Sequence, residues 1–158
     1  MPINLPETKQ PRIVIAGAGF AGLTLAKRLS NKDYQVVIID RNNYHQFQPL
    51  LYQVAMSGIE PSSIAFPLRR IFTNKPNIHI RVAEIESVHP QEKYLLTNEG
   101  RVNYDILVLS TGVTTNYYGN VEIEQKTYPL KSVADALFLR NAILADLEKA
   151  LTIRDYDI

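Results

Sequence analysis

The chain has 158 residues, with 17 Lys and Arg against 16 Asp and Glu, a formal net charge of +1 and no Cys. This length is about one domain, which can bury its own core but is short for a two-substrate redox enzyme. The balanced charge and the lack of a dense basic stripe predict no nucleic-acid partner. Without Cys, these residues hold no disulfide framework, thiolate cluster or redox-active dithiol.

The first eleven residues, MPINLPETKQP, contain three prolines and no apolar stretch like a signal-peptide core. We predict that residues 1–11 form a flexible polar tail outside the fold and that residues 12–158 form one domain. The longest apolar runs, such as residues 13–16, are far shorter than the roughly 20 residues that span a bilayer. The sequence therefore predicts no transmembrane helix and no export.

Two short β-branched runs, residues 13–16 and 36–39, predict strands that are buried on both faces and lie parallel to each other. Residues 23–30 between them fit a helix that turns Leu25 and Leu29 to one side. Together these segments predict a compact βαβ unit.

Gly17, Gly19 and Gly22 form the pattern G-x-G-x-x-G between the first strand and this helix. The first glycine permits a tight turn, the second lets the backbone approach a pyrophosphate, and the third lets the helix pack on the strand. A diphosphate would then meet the helix N-terminus. The spacing alone leaves NAD and FAD open as the dinucleotide.

Asp40 ends the second run, 18 residues after Gly22. A carboxylate at this position accepts hydrogen bonds from an adenosine ribose, and its presence beside Arg41 argues against a 2′-phosphate. We expect the substitution Asp40→Ala to weaken adenosine binding without unfolding the domain.

Later segments predict further elements. Residues 44–51 predict a loop with short helical turns, and Ser63 is expected to cap a short helix through residues 66–72. The extended segments IHIRVAEIESV, KYLLTN and RVNYDILVLSTG are separated by HPQE and NEG, as strands joined by tight turns are. Ser132 with Asp135 three residues later predicts the start of an amphipathic helix that runs almost to the end of the chain.

Two of these segments carry a family resemblance. YDILVLSTG, residues 104–112, resembles the second flavin signature of oxidoreductases with two dinucleotide-binding domains. DRNNYHQFQPLLYQVAMSGIEPSSIAFPLR, residues 40–69, resembles type II NADH dehydrogenase, the single-subunit NADH:quinone oxidoreductase of respiratory membranes. The resemblance implies an α/β fold, in which a Rossmann-like FAD-binding domain with a parallel sheet carries a small antiparallel β insertion and is incomplete.

The resemblance also implies FAD as the cofactor. The residues that would hold its diphosphate are Gly17, Gly19, Phe20, Ala21 and Gly22. Asp40 with Arg41 would face the adenosine, and Ala83 would present backbone groups to the adenine. The residues that would lie near the flavin are Thr111, Gly112, Gln48 and Pro49.

For the parent enzyme, the resemblance implies hydride transfer from NADH to FAD and electron transfer to a quinone. Its NADH-binding domain, a later flavin-binding segment and the C-terminal helices that attach it to the membrane surface would follow residue 158. We therefore expect an inactive N-terminal fragment, open to homodimer formation, of a cytoplasmic or cytoplasm-facing peripheral membrane protein. Hydride transfer to a flavin demands no acid, base or nucleophile, so the catalytic residues stay unassigned.

Alternatives remain for individual residues and for the whole chain. His45 is a candidate base, but a His without a carboxylate partner in the sequence is more often a hydrogen-bonded structural residue. His79 and His89 match no metal-ligand spacing, and we expect no metal site. The rival function is a NAD-binding module of a dehydrogenase or a nucleotide sensor. The segment YDILVLSTG and the β-rich residues 78–104 favour flavin, and the lack of Cys excludes a disulfide reductase of the same superfamily.

Overall fold

A computed structural model describes residues 2–153 and divides into two compact units. Unit 1 contains the described residues of Met1–His45 and Phe66–Gly112, and unit 2 contains those of Gln46–Ala65 and Val113–Ile158. The strands, in chain order, are β1 (Arg12–Ala16), β2 (Gln35–Asp40), β3 (Tyr44–Gln46), β4 (Ala65–Pro67), β5 (Ile78–Val82), β6 (Ile85–His89), β7 (Tyr94–Thr97), β8 (Gly100–Asn103) and β9 (Ile106–Leu109). The helices are α1 (Phe20–Leu29), α2 (Leu51–Ala55), α3 (Leu68–Ile71), α4 (Val121–Lys126) and α5 (Val133–Ala150). Short 3₁₀ turns cover Gln48–Leu50 and Pro61–Ser63, and β3 and β4 form a two-stranded sheet.

A four-stranded parallel sheet in the order β5-β2-β1-β9 forms the centre of unit 1. Residues 36–39 of β2 are fully buried, as expected for an inner strand covered on both faces. Alternate residues of β1 and β2 point into two separate apolar clusters, one containing Ile15 and Ile38 and the other Val14 and Val37. The predicted βαβ unit with parallel strands is confirmed.

The predicted antiparallel insertion is a three-stranded sheet in the order β6-β7-β8. Leu95 of β7 faces Val102 of β8, and both side chains are buried against the sheet cluster that contains Val14. Leu96, Arg101 and Asn103, which lie next to them along the strands, are exposed, so this sheet packs one face on the core and turns the other outward.

Residues 2–11 differ from the prediction of a tail outside the fold. Ile3 and Leu5 pack against the same cluster, and Ile3 N donates to Arg101 O at 3.0 Å. The buried Gln35 side chain donates to Pro6 O at 2.8 Å. Ile3 and Leu5, two positions apart, therefore pack residues 2–11 onto the core of unit 1 despite the prolines in this segment.

The predicted helix through residues 66–72 is largely wrong. Only Leu68–Ile71 is helical, and the helix starts late because Phe66 and Pro67 belong to β4, where Pro67 has ψ of 124°. Leu68 N donates to Asn43 O at 3.0 Å instead of to a preceding turn. Ser63 lies in a 3₁₀ turn and caps no helix by its side chain.

Unit 2 is built around α5, whose start is confirmed. Ser132 Oγ accepts from Asp135 N at 3.1 Å, and Asp135 Oδ2 accepts from Ser132 N at 2.9 Å, which is a complete capping box. Ala136 packs with α2 in a small apolar cluster that includes Leu51 and Val54. The short helix α4 was not predicted. None of the helices among residues 2–153 is long and apolar enough to cross a membrane.

Candidate dinucleotide site

The loop between β1 and α1 is shaped by two glycines that the protein's own packing requires. Gly17 has φ of +97°, and a Cβ added there would lie 2.4 Å from Ser110 O. A Cβ added to Gly22 would lie 1.9 Å from Gly17 O. Any larger residue at either position would collide with backbone atoms, so these two glycines are needed for folding itself.

Gly19 differs from both of them. It has φ of −68° and ψ of −166°, which any residue can adopt, and an added Cβ would lie 4.0 Å from its nearest neighbour, Ser110 O. Neither backbone conformation nor protein packing explains a glycine here. The surface beside Gly19 is therefore open enough for a ligand to approach the backbone closely.

Gly19 is also the N-cap of α1. It supplies no side-chain cap, and the first turn of this ten-residue helix contains no acidic residue. The amide groups of a helix N-terminus carry partial positive charge and favour an anion such as a phosphate. Phe20 and Ala21, which follow Gly19, are exposed at this end, with Phe20 at 46%.

Asp40 fixes the glycine loop from the carboxyl end of β2. Its Oδ2 accepts from Ala18 N at 2.7 Å, and its Oδ1 accepts from Asn42 N at 2.8 Å. A carboxylate has about four acceptor positions, so acceptor capacity remains for ribose hydroxyls. The structure thus assigns Asp40 a structural role that the sequence did not predict, beside the predicted role in binding.

His45 fixes the same loop from β3. Its side chain is 7% exposed, and Nδ1 lies 2.9 Å from Ala18 O. Because a carbonyl oxygen only accepts, Nδ1 is the donor in this hydrogen bond. The ring also contacts Phe20 edge to face, with centroids 5.3 Å apart. His45 is therefore hydrogen-bonded to the glycine loop, as its structural interpretation predicts.

Ser110, directly after β9, is a residue of this site that sequence reasoning missed. Its Oγ lies 2.9 Å from both Ala16 O and Gly17 O and donates to them, and its backbone N donates to Ala16 O at 2.8 Å. Ser110 lies in the segment YDILVLSTG, which could have indicated it, but the resemblance assigns only Thr111 and Gly112 of that segment to the cofactor site.

The other predicted residues of unit 1 lie around this loop to different extents. Thr111 follows Ser110 directly, and its Cα would lie 2.9 Å from a Cβ added to Gly17. Gly112 has φ of +75° and open space where a Cβ would be. Ala83 is buried, and its N donates to Asp40 O at 3.0 Å, whereas Arg41 is exposed beside Asp40.

Gln48 and Pro49 belong to unit 2. They lie in the 3₁₀ turn Gln48–Leu50, and the Gln48 side chain donates to Lys131 O at 3.4 Å. Their predicted place near the flavin stays a prediction.

The electrostatics of unit 1 include two perturbed groups on β5. Burial, followed by the charges of Arg81 and Arg12, lowers the pKa of His79. Burial and the charge of Arg69 lower the pKa of Arg81. Within residues 2–153, no group of three or more His, Asp or Glu is arranged to hold a metal ion.

Comparison with known families bears on this geometry. The family model described as pyridine nucleotide-disulphide oxidoreductase matches residues 11–153. The chain belongs to this family. This chain contains no Cys, so its 158 residues carry no disulfide although the family's description names one.

Relatives within the family carry more specific names. The chain is 35% identical over 156 residues to the protein of Mycobacterium tuberculosis named type II NADH:quinone oxidoreductase Ndh, covering 94% of this chain and 34% of that protein. It is 32% identical over 154 residues to the mitochondrial external alternative NAD(P)H-ubiquinone oxidoreductase B2 of Arabidopsis thaliana, covering 90% and 26%. The chain thus spans about a third or less of these relatives' length.

A solved structure supports the fold. NDH2 from Plasmodium falciparum in complex with NADH superposes with a TM-score of 0.84 at 25% identity, covering 92% of this chain and 31% of that chain. The predicted fold class is confirmed by this match together with the parallel sheet of unit 1.

Proposed function

We propose that this chain is the FAD-binding part of an enzyme that oxidises NADH and reduces a quinone. The names of the Mycobacterium and Arabidopsis relatives support the overall reaction. The open backbone at Gly19 is the observation in this chain that supports a bound dinucleotide.

The residues of unit 1 fit such a cofactor. The N-terminus of α1, at which Gly19 supplies no side-chain cap, offers positive partial charge to a diphosphate, and Gly19 leaves room for it to approach. Asp40 has acceptor positions for ribose hydroxyls beside the two that hold backbone amides. When bound, FAD would supply the redox chemistry, accepting a hydride and passing two electrons onward.

The contribution of this chain to that chemistry is binding and orientation. Asp40, His45 and Ser110 hold the glycine loop in one shape through protein atoms. A preformed loop reduces the ordering cost of binding, since few groups must be immobilised when the ligand arrives. Attachment of the whole enzyme to a respiratory membrane surface, its cytoplasmic location and a homodimer stay predictions.

The test compares two glycine variants. Gly19→Ala adds a methyl group that the protein accommodates, so we expect a folded chain with FAD affinity lowered about tenfold or more, as overpacking a contact costs about 1–3 kcal/mol. Gly58→Ala in unit 2 is the matched control, because its added Cβ would meet only an ordinary contact of 3.4 Å with Gln53 O. FAD retention is measured by flavin absorbance after desalting, and affinity by quenching of flavin fluorescence.

Parallel titration with NAD separates the rival function. FAD binding that falls in Gly19→Ala and persists in Gly58→Ala supports the proposal. NAD binding without FAD binding by the unaltered chain would instead identify a NAD-binding module. FAD affinity that is equal in both glycine variants would contradict the placement of the diphosphate at Gly19.

A further inference from the structure

The peptide bond between Ala18 and Gly19 is held by a side chain from outside the glycine loop. Its carbonyl oxygen, Ala18 O, accepts from Nδ1 of the buried His45 at 2.9 Å. A trans peptide is planar, and its C=O and N–H point in opposite directions. Holding Ala18 O therefore also fixes the direction of the Gly19 N–H, which points away from His45.

The preceding peptide bond is held independently. Ala18 N donates to Asp40 Oδ2 at 2.7 Å, so the two peptide planes on either side of Ala18 are set by side chains from β2 and β3. Either of these two hydrogen bonds alone would leave the other peptide plane able to rotate about the backbone bonds of Ala18. The two together leave the Gly19 N–H with one orientation at the open start of α1.

We propose that His45 is a positioning residue for cofactor binding, which aims the Gly19 N–H at the diphosphate of the bound dinucleotide. This inference rests on the proposed function and extends it to a residue that contacts the loop on the side opposite the Gly19 N–H. His45 moves no proton in this role. Its essential feature is a donor at the position of Nδ1, and Phe20 packs edge to face on the ring to keep it in place.

Two amide variants test this role because they carry the same chemical group with different reach. In His45→Asn the side-chain amide nitrogen comes near the position of Nδ1, so the donor to Ala18 O is kept. In His45→Gln the amide lies one methylene further out, and the donor is misplaced. His45→Phe is a third variant, which keeps a ring against Phe20 and has no donor.

The full 158-residue chain is used for each variant. We expect His45→Gln and His45→Phe to lower FAD affinity about fivefold, the effect of one lost hydrogen bond, and His45→Asn to restore most of it. The ³¹P resonances of bound FAD should shift in the two variants that lose the donor and stay near their original positions in His45→Asn. Urea midpoints recorded without FAD separate affinity from folding, and His45→Gln serves if His45→Phe does not fold.

The outcomes are distinct. Equal FAD affinity and ³¹P spectra in His45→Gln, His45→Asn and the unaltered chain would overturn the inference while leaving the proposed function intact. An equal loss in His45→Asn and His45→Gln would reduce His45 to a packing residue and would also overturn it. If the unaltered chain binds no FAD, the proposed function fails first and the inference fails with it.

Discussion

Replacing Asp40 by Ala should weaken the fold of unit 1 even when no nucleotide is present. The carboxylate is half-buried and accepts two backbone hydrogen bonds, from Ala18 N at 2.7 Å and Asn42 N at 2.8 Å. A hydrogen bond to a charged group contributes about 1.5–3 kcal/mol, and the lower value applies where water can reach the donors. The two together give a loss of about 3 kcal/mol in the free energy of unfolding.

Urea denaturation of the ligand-free chain, followed by circular dichroism, measures this loss. With a typical slope of about 2 kcal/mol per molar urea, the midpoint should fall by about 1.5 M. Asp33→Ala is the control, since Asp33 is exposed in the turn before β2 and its removal should change stability by less than about 0.5 kcal/mol. Equal midpoints for Asp40→Ala and Asp33→Ala would refute the structural role of Asp40.

Three other substitutions test further parts of the fold. Gly22→Ala forces a Cβ to within 1.9 Å of Gly17 O, so we expect a loss of about 3 kcal/mol or more, or no folded protein; a midpoint near that of the unaltered chain would contradict this packing. The pKa of His79 is lowered by folding, so below about pH 6.5 the unfolded chain binds more protons than the folded chain. The free energy of unfolding should therefore decrease as the pH is lowered through this range. His79→Gln should flatten this dependence in urea midpoints measured from pH 5 to 8. Ser132→Ala removes the cap of α5 and should cost about 1 kcal/mol, seen in the helical signal of a thermal melt; an unchanged melt would mean that the cap is replaced by water.

Local patterns predicted the elements whose stability is local or follows from simple burial. The β-branched residues 13–16 and 36–39 become inner strands, and the Ser132 capping box begins α5. The helix α4 escaped notice because its residues are mainly polar and its main signal is the Asn120 cap, where Asn120 Oδ1 accepts from Ile123 N at 3.0 Å.

Errors and omissions arose where distant contacts decide the structure. The helix α3 starts only at Leu68, whose amide donates to Asn43 O, a contact that no local propensity contains. Ser110 bonds to Ala16 O and Gly17 O across more than 90 residues of sequence, so its role could not be found from spacing. Asp40 ends β2 as predicted, but its bond to the glycine loop depends on the folded arrangement of β1 and β2.

Every hydrogen bond that we describe around Gly17 and Ala18 joins two groups of the protein itself. None of these bonds requires a bound nucleotide, so the loop can form whenever the strands and turns that supply Asp40, His45 and Ser110 fold.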